Sequence, residues 1–140
     1  MFSLERLFFR KSQRVVSERE FAKVLSQKCF VCSQMLRLYA APNNLNIPRF
    51  GVSVGRAIGN AVLRNRLKRL AREVFRLNQH QIPAGYDYIL IFTQKMPKQK
   101  AGTAKPKKQE LSQMQVEDLE HLFLSMLHNL IKKSNKAENK

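Results

Sequence analysis

The chain has 140 residues, with 26 Lys and Arg against 10 Asp and Glu, for a net charge of +16 at pH 7. The length suits one domain, and 44% hydrophobic residues are enough for a core, which excludes wholesale disorder. No uncharged run approaches the roughly 20 residues that span a bilayer, two cysteines are too few for a disulfide framework, and so large a charge excess asks for a polyanion, nucleic acid before an acidic membrane.

In chain order, the first residues, MFSLERLFFRKSQR, carry Glu5 and Arg6 and no small-residue cleavage site, so they do not read as a signal peptide. With the cysteine usage, this predicts a reducing, cytoplasmic setting. Ser17 and Glu20 have capping-box spacing, and Phe21, Val24 and Leu25 share a face of a first helix from about Glu18 to Gln27. A weak strand is expected near Cys29–Val31. A stronger one runs from Met35 to Ala41, then turn residues Pro42, Asn43 and Asn44, then a strand at Phe50–Val54. The short Asn-rich connection predicts that these last two strands form an antiparallel pair. Asn60 is a candidate N-cap for a second helix from about Ala61 to Asn78, whose Leu63, Leu67, Leu70, Val74 and Leu77 make one apolar stripe. Tyr86–Phe92, YDYILIF, has the near-continuous apolar character of a central strand. Residues 95–110 form a lysine-rich stretch longer than most loops, expected to be mobile or functional. Ser112 and Gln115 offer another capping box, opening a third helix to about Lys132 with Leu119, Leu122, Phe123, Met126 and Leu130 on one side. Residues 133–140 read as a frayed basic tail. The order αβββαβα predicts an α+β two-layer sandwich, with residues 1–132 as a single domain.

The charge is not evenly spread. Residues 56–76 hold seven basic residues and one acid; residues 95–108 hold six lysines and no acid; residues 109–131 hold four acids and no Lys or Arg. On the second helix Arg64, Lys68, Arg72 and Arg76 recur every four residues, so they form a stripe away from the apolar one, with Asn65 and Arg69 in the same arc and Arg66 at its flank. Like charges at this spacing destabilise a helix by a few tenths of a kcal/mol each. A polyphosphate backbone relieves that repulsion and releases counterions, and arginine suits bidentate phosphate contacts. The spacing alone suits DNA as well as RNA.

The segment Ile58-Gly59-Asn60-Ala61-Val62-Leu63-Arg64-Asn65-Arg66-Leu67-Lys68-Arg69-Leu70-Ala71-Arg72 resembles the signature of the bacterial ribonuclease P protein component. Phe50–Val54 before it, Asp87–Ile91 after it, the early Phe21-x-x-Val24 helix, the Leu38-Tyr39 strand and the stretch from Leu111 to Phe123 extend the likeness over about residues 14–94 and 111–131. The resemblance implies a ribosomal-protein-like domain with a left-handed βαβ crossover, where the general rule favours the right hand. It implies two partners, a ribonuclease P catalytic RNA and precursor tRNA, whose 5′ leader is removed by phosphodiester hydrolysis. The RNA does the chemistry and, with the substrate, holds Mg2+; the protein carries no catalytic residue or metal. It also implies a monomer in a 1:1 complex with the RNA. Carried over, Arg56, Asn60, Arg64, Asn65, Arg66, Lys68, Arg69 and Arg72 are the RNA-contacting set, and Phe21, Leu25, Arg37 and Tyr39 line a leader-binding cleft, where aromatic and basic groups suit single strands.

The sequence departs from the family pattern at Leu25, often aromatic there, at Arg56-Ala57, often both basic, and in the longer 95–110 stretch. Cys29-x-x-Cys32 lacks two further ligands nearby and reads as two small apolar residues. A structural RNA-binding protein on the same fold and a basic DNA-binding module are the other classes that composition allows; the R-N-R-x-K-R-x-x-R string separates them from the first. If the lysine-rich stretch adds nonspecific RNA contacts, deleting residues 95–110 should flatten the dependence of log K on log salt. The expected change is about 0.7–0.9 for each phosphate no longer neutralised. An unchanged slope contradicts that role.

Overall fold

A computed structural model describes residues 13–15, 17–33, 35–93, 111 and 113–138. The 95–110 stretch and Ser112 lie outside the described residues. Helix α1 is Glu18–Ser26. Strands β1, β2 and β3 are Phe30–Ser33, Leu36–Pro42 and Arg49–Val54. Helix α2 is Ala61–Leu77, strand β4 is Tyr86–Phe92 and helix α3 is Val116–Glu138. The expected αβββαβα order is therefore observed.

The four strands form one mixed sheet in the order β1-β2-β4-β3. β4 is antiparallel to β2 and parallel to β3, so the expected β2–β3 pairing is corrected. The turn chemistry at Pro42–Asn44 does reverse the chain, but β4 occupies the place beside β2. Its apolar run explains why: Tyr88, Leu90 and Phe92 are buried on one face and Ile89 on the other, which only a central position satisfies. Parallel β3 and β4 need a crossover, and α2 supplies it.

Most of the core lies on the face covered by α2 and α3, with Leu36, Leu38, Phe50, Leu67, Phe75, Phe92, Leu119 and Phe123 among its members. The opposite face carries a smaller cluster of Val15, Val24, Tyr39, Ala41 and Ile89 beneath α1. The short α1 thus adds a partial layer to the α+β sandwich.

Three local expectations shift. The seam of α2 is Leu67, Ala71, Val74 and Phe75, while Leu77 is 39% exposed. Residues 67, 71, 74 and 78 lie within about 60° of one another on a helix, and Leu77 falls well outside that arc. Phe75 lies at the opposite margin but stacks on Phe50. Second, α3 opens at Val116, where the Gln115 N–H donates to Asp118 Oδ2 at 3.0 Å. Gln115 therefore takes the cap position itself, not the third position of a box begun at Ser112. Third, α3 continues to Glu138, so residues 133–138 are helical rather than frayed. Lys133 Nζ donates to the Phe30 carbonyl at 3.0 Å and lies 5.4 Å from the Phe30 ring centroid, which holds this end of the helix on β1.

Asp87, at 6% exposure, is one of the few buried polar residues. Its Oδ1 accepts from Arg49 Nε at 2.7 Å and Asn43 Nδ2 at 2.9 Å, and its Oδ2 accepts from Arg49 Nη2 at 2.6 Å. Arg49 Nη1 also donates to Glu20 Oε1 at 3.3 Å. One carboxylate thus joins β4, β3 and the β2–β3 turn, with Arg49 carrying the network on to α1. The hydrogen bond to Asp87 is the main cause that raises the Arg49 pKa further, so the guanidinium stays charged.

The displaced seam is testable. Phe75→Ala should cost about 3–5 kcal/mol in chemical unfolding, whereas Leu77→Ala should cost about 1 kcal/mol or less. Equal losses contradict the packing described.

Candidate nucleic-acid interface

The entry to α2 is held at three points. Gly55 N–H donates to the Phe92 carbonyl at 3.0 Å. Ile58 is fully buried in the short turn Arg56–Ile58. Asn60 Oδ1 accepts from the Leu63 N–H at 3.0 Å as the N-cap. Arg56 and Asn60 are exposed around this entry, so Asn60 both caps the helix and faces solvent.

With Leu67, Ala71 and Val74 turned inward, the polar and basic residues of α2 divide into three groups. Asn65 and Arg69 are exposed and point away from the core. Arg64, Lys68 and Arg72 are half-buried along one flank, and Arg76 continues their row but is ion-paired with Glu73. That hydrogen bond is the main cause that lowers the Glu73 pKa. Arg66 lies on the other flank. Its guanidinium donates to the Leu111 carbonyl at 3.4 Å and the Met114 carbonyl at 2.9 Å. Arg66 therefore fixes the approach to α3, a role its place in the motif did not suggest.

The proposed cleft residues lie on the α1 side of the sheet. Phe21 and Leu25 are half-buried against the cluster that contains Tyr39, and Arg37 is two residues before Tyr39 on the same strand face. Tyr39 is only 9% exposed, and its ring stacks on Phe30 at 4.8 Å. Arg37 lies 5.9 Å from the Phe30 centroid. Phe30 was missed by sequence reasoning because β1 gave a weak strand signal; the register Phe30↔Tyr39 is what places it here. The four cleft residues share one side of the sheet, while most of the α2 cations lie on the other.

The two sides meet at the β3 edge. A pocket of about 170 Å³ there is lined by Arg14, Val15, Phe21, Phe50, Gly51, Val52 and Arg72. Gly51 permits the approach: a Cβ there would sit 2.8 Å from both Phe21 Cζ and the Val15 carbonyl. Burial, and secondarily the charge of Arg14, lowers the Arg72 pKa. Arg14 was not singled out from the sequence, where it is one cation in a short basic segment.

Among the described residues, no three His, Cys, Asp or Glu side chains come together as metal ligands. Glu20, Glu73 and Asp87 are each engaged by an arginine, so these residues do not fit a magnesium site. Cys29 and Cys32 are half-buried and form no disulfide. Among the described residues, no helix is long and apolar enough to cross a membrane.

The family model for ribonuclease P matches residues 9–120. The chain belongs to the ribonuclease P protein family. It is 44% identical over 72 residues to the ribonuclease P protein component of Natranaerobius thermophilus, covering 51% of this chain and 63% of that protein. Against the component from Syntrophus aciditrophicus the identity is 35% over 88 residues, covering 63% and 74%. The RNase P protein from Thermotoga maritima, solved in complex with 1-(4-fluorophenyl)-2-thiourea, is similar in fold. Its TM-score is 0.67 at 26% identity, over 81% of this chain and 96% of that one. The Staphylococcus aureus RNase P protein matches with TM-score 0.62 at 25% identity, over 89% and 96%. Membership makes the chain a protein subunit of ribonuclease P, a ribonucleoprotein endoribonuclease of tRNA 5′ processing, with the ribonuclease P RNA as its partner.

The division of the motif has a measurable consequence. Arg66→Ala should lower the protein's own stability by about 1.5–3 kcal/mol, the range for hydrogen bonds to a charged group. Arg69→Ala should leave it within about 0.5 kcal/mol. Chemical denaturation of the free protein checks this, and identical curves for the two variants contradict the clamp at Arg66.

Proposed function

We propose that this chain binds the catalytic RNA through the exposed arc of α2 and receives the 5′ leader of precursor tRNA on the α1 side of the sheet. The observation that carries the reading is an ordered helix whose cations outnumber its acids, anchored by its inner seam beside a face with a half-buried aromatic side chain. Arg56, Asn60, Arg64, Asn65, Lys68, Arg69 and Arg72 contact RNA phosphates on this reading, and Arg66 contributes mainly by holding the start of α3. Phe21 supplies a stacking surface. Leu25 supplies apolar contact and Arg37 a cation, while Tyr39 supports Phe30 from below.

The protein contributes binding and position. It concentrates the substrate and holds the leader strand in one path, which lowers the entropic cost of reaching the reactive geometry. Its cations reduce the repulsion between two polyanions. Magnesium held by the RNA and the substrate would supply an activated water and charge stabilisation for the leaving oxygen, with no residue of this chain as its ligand. We place the protein in the cytoplasm as a monomer, one per catalytic RNA.

Reconstitution tests the reading. Purified protein added to the cognate RNA and precursor tRNA at low magnesium should accelerate cleavage over RNA alone; no acceleration contradicts it. Phe21→Ala should weaken affinity for precursor tRNA while assembly with the catalytic RNA stays near wild type. Equal losses on both measurements contradict the separation of surfaces.

A further inference from the structure

We propose that Lys133 is a positioning residue for the cleft. From the C-terminal part of α3 it holds the edge strand β1, and through Phe30 it sets the side chains that meet the leader, without touching RNA itself. This rests on the leader-binding reading above and adds a residue outside residues 9–120, the span matched by the family model.

Three observations support it. First, the place of Lys133 is built into the helix. The buried seam of α3 includes Leu119, Phe123, Met126 and Leu130, at spacings of four, three and four. The next place in that series, three residues on, is Lys133. It therefore lies on the inward face, one turn beyond Leu130. A lysine there lays its stem along the sheet and carries its ammonium to the edge.

Second, the edge needs a donor at that point. β1 has four residues, all half-buried, and among the described residues it pairs only with β2. The Ala40 N–H donates to the Cys29 carbonyl at 3.1 Å, which makes these two a hydrogen-bonded pair of the antiparallel ladder. Phe30, the next residue, therefore turns its N–H and carbonyl away from β2. Lys133 Nζ donates to that carbonyl at 3.0 Å, the bond that a further strand would otherwise make. So short an edge strand is the kind of element that opens locally, and this bond ties it to a packed helix. Third, what is tied down is a ring at the cleft. The Phe30 centroid lies 5.4 Å from Lys133 Nζ and 5.9 Å from Arg37 Cζ, and the ring stacks on Tyr39 at 4.8 Å. A shift of β1 moves Phe30, and Tyr39 and Arg37 lose the surface against which they rest. A binding constellation tolerates only about 0.5 Å of such play.

The test uses holoenzyme assembled from the full chain and the ribonuclease P RNA, with protein at saturation so that assembly does not limit. Affinity is measured for precursor tRNA and for the same tRNA without its leader. Lys133→Met keeps the stem and removes the donor, and its preference for the leader-bearing substrate should fall about fivefold. The salt slope of that preference should stay at the wild-type value, because no phosphate contact is lost. In the free variant the Val31 N–H, opposite Leu38 in the ladder, should exchange about threefold faster or more while β4 keeps its protection. Lys133→Arg, which restores a charged donor, should recover most of both effects. An unchanged preference in Lys133→Met overturns the proposal. So does an equal loss for both tRNAs, or a slope lower by about 0.7–0.9, the mark of a phosphate held by Lys133 itself. Phe21→Ala, run alongside, separates this role from the cleft reading. A preference lost in Phe21→Ala but kept in Lys133→Met overturns only the positioning role, whereas a wild type with no leader preference overturns both.

Discussion

Phe50 stacks on Phe75 at 4.8 Å and meets Phe123 edge-on at 6.1 Å. The three rings join β3, α2 and α3, and all three are among the largest fully buried side chains. The orientation of α2 depends on this junction, because seven basic residues and one acid between positions 56 and 76 give the helix little favourable pairing of its own. Aromatic packing sets which arc of the helix faces inward, and every cation takes its direction from that. The next residue on the strand, Gly51, lies on the opposite face and admits the Phe21 ring. Two consecutive residues of β3 therefore position the cationic helix α2 on one side and the Phe21 ring on the other.

The arginines of this protein do different kinds of work despite their similarity in sequence. Arg49 is internal, closing a network with Asp87, Asn43 and Glu20. Arg66 is a clamp on two carbonyls, and Arg76 is neutralised by Glu73. Arg69 is exposed, and Arg72 lines the edge pocket. Net charge describes long-range attraction to a polyanion, but arginines engaged in internal bonds are not interchangeable with those, such as Arg69, that face solvent. Buried ion pairs such as Arg49–Asp87 add little net stability against a hydrophobic alternative. What this one does is hold the β2–β3 turn, β3 and β4 in one register.

Much of the molecule was legible from pattern. The N-caps Ser17 and Asn60 were visible because a side-chain oxygen three residues before a free N–H is a local relation. β4 was legible because a seven-residue run that is apolar except for Asp87 has few other uses. The pairing of β2 with β4 was not, since strand neighbours are a property of the whole sheet and local turn chemistry favoured β3. The seam of α2 was misplaced by one margin because leucine marked Leu77 as inward, while Phe75 is held by a ring on another element. Tyr39 shows the same limit at the site: its residue type fits stacking on a base, but its register partner Phe30 occupies the ring face. Arg14 could not be seen because its meaning comes from a bridge to Phe50, distant in sequence. The family motif singled out α2 as a whole; only the fold separated its solvent-facing cations from the clamp at Arg66.

The central claim is that RNA engages one continuous surface, from α1 across the β3 edge to the outer arc of α2, and leaves the outer side of α3 bare. Amide NMR titration of the free protein with a single-stranded RNA oligonucleotide tests this most directly. Shifts should concentrate at Arg14, Phe21, Gly51, Asn65, Arg69 and Arg72, with Glu117, His121, Ser125 and His128 unmoved. Shifts centred on those α3 positions, or spread evenly over all exposed lysines and arginines, would contradict the account.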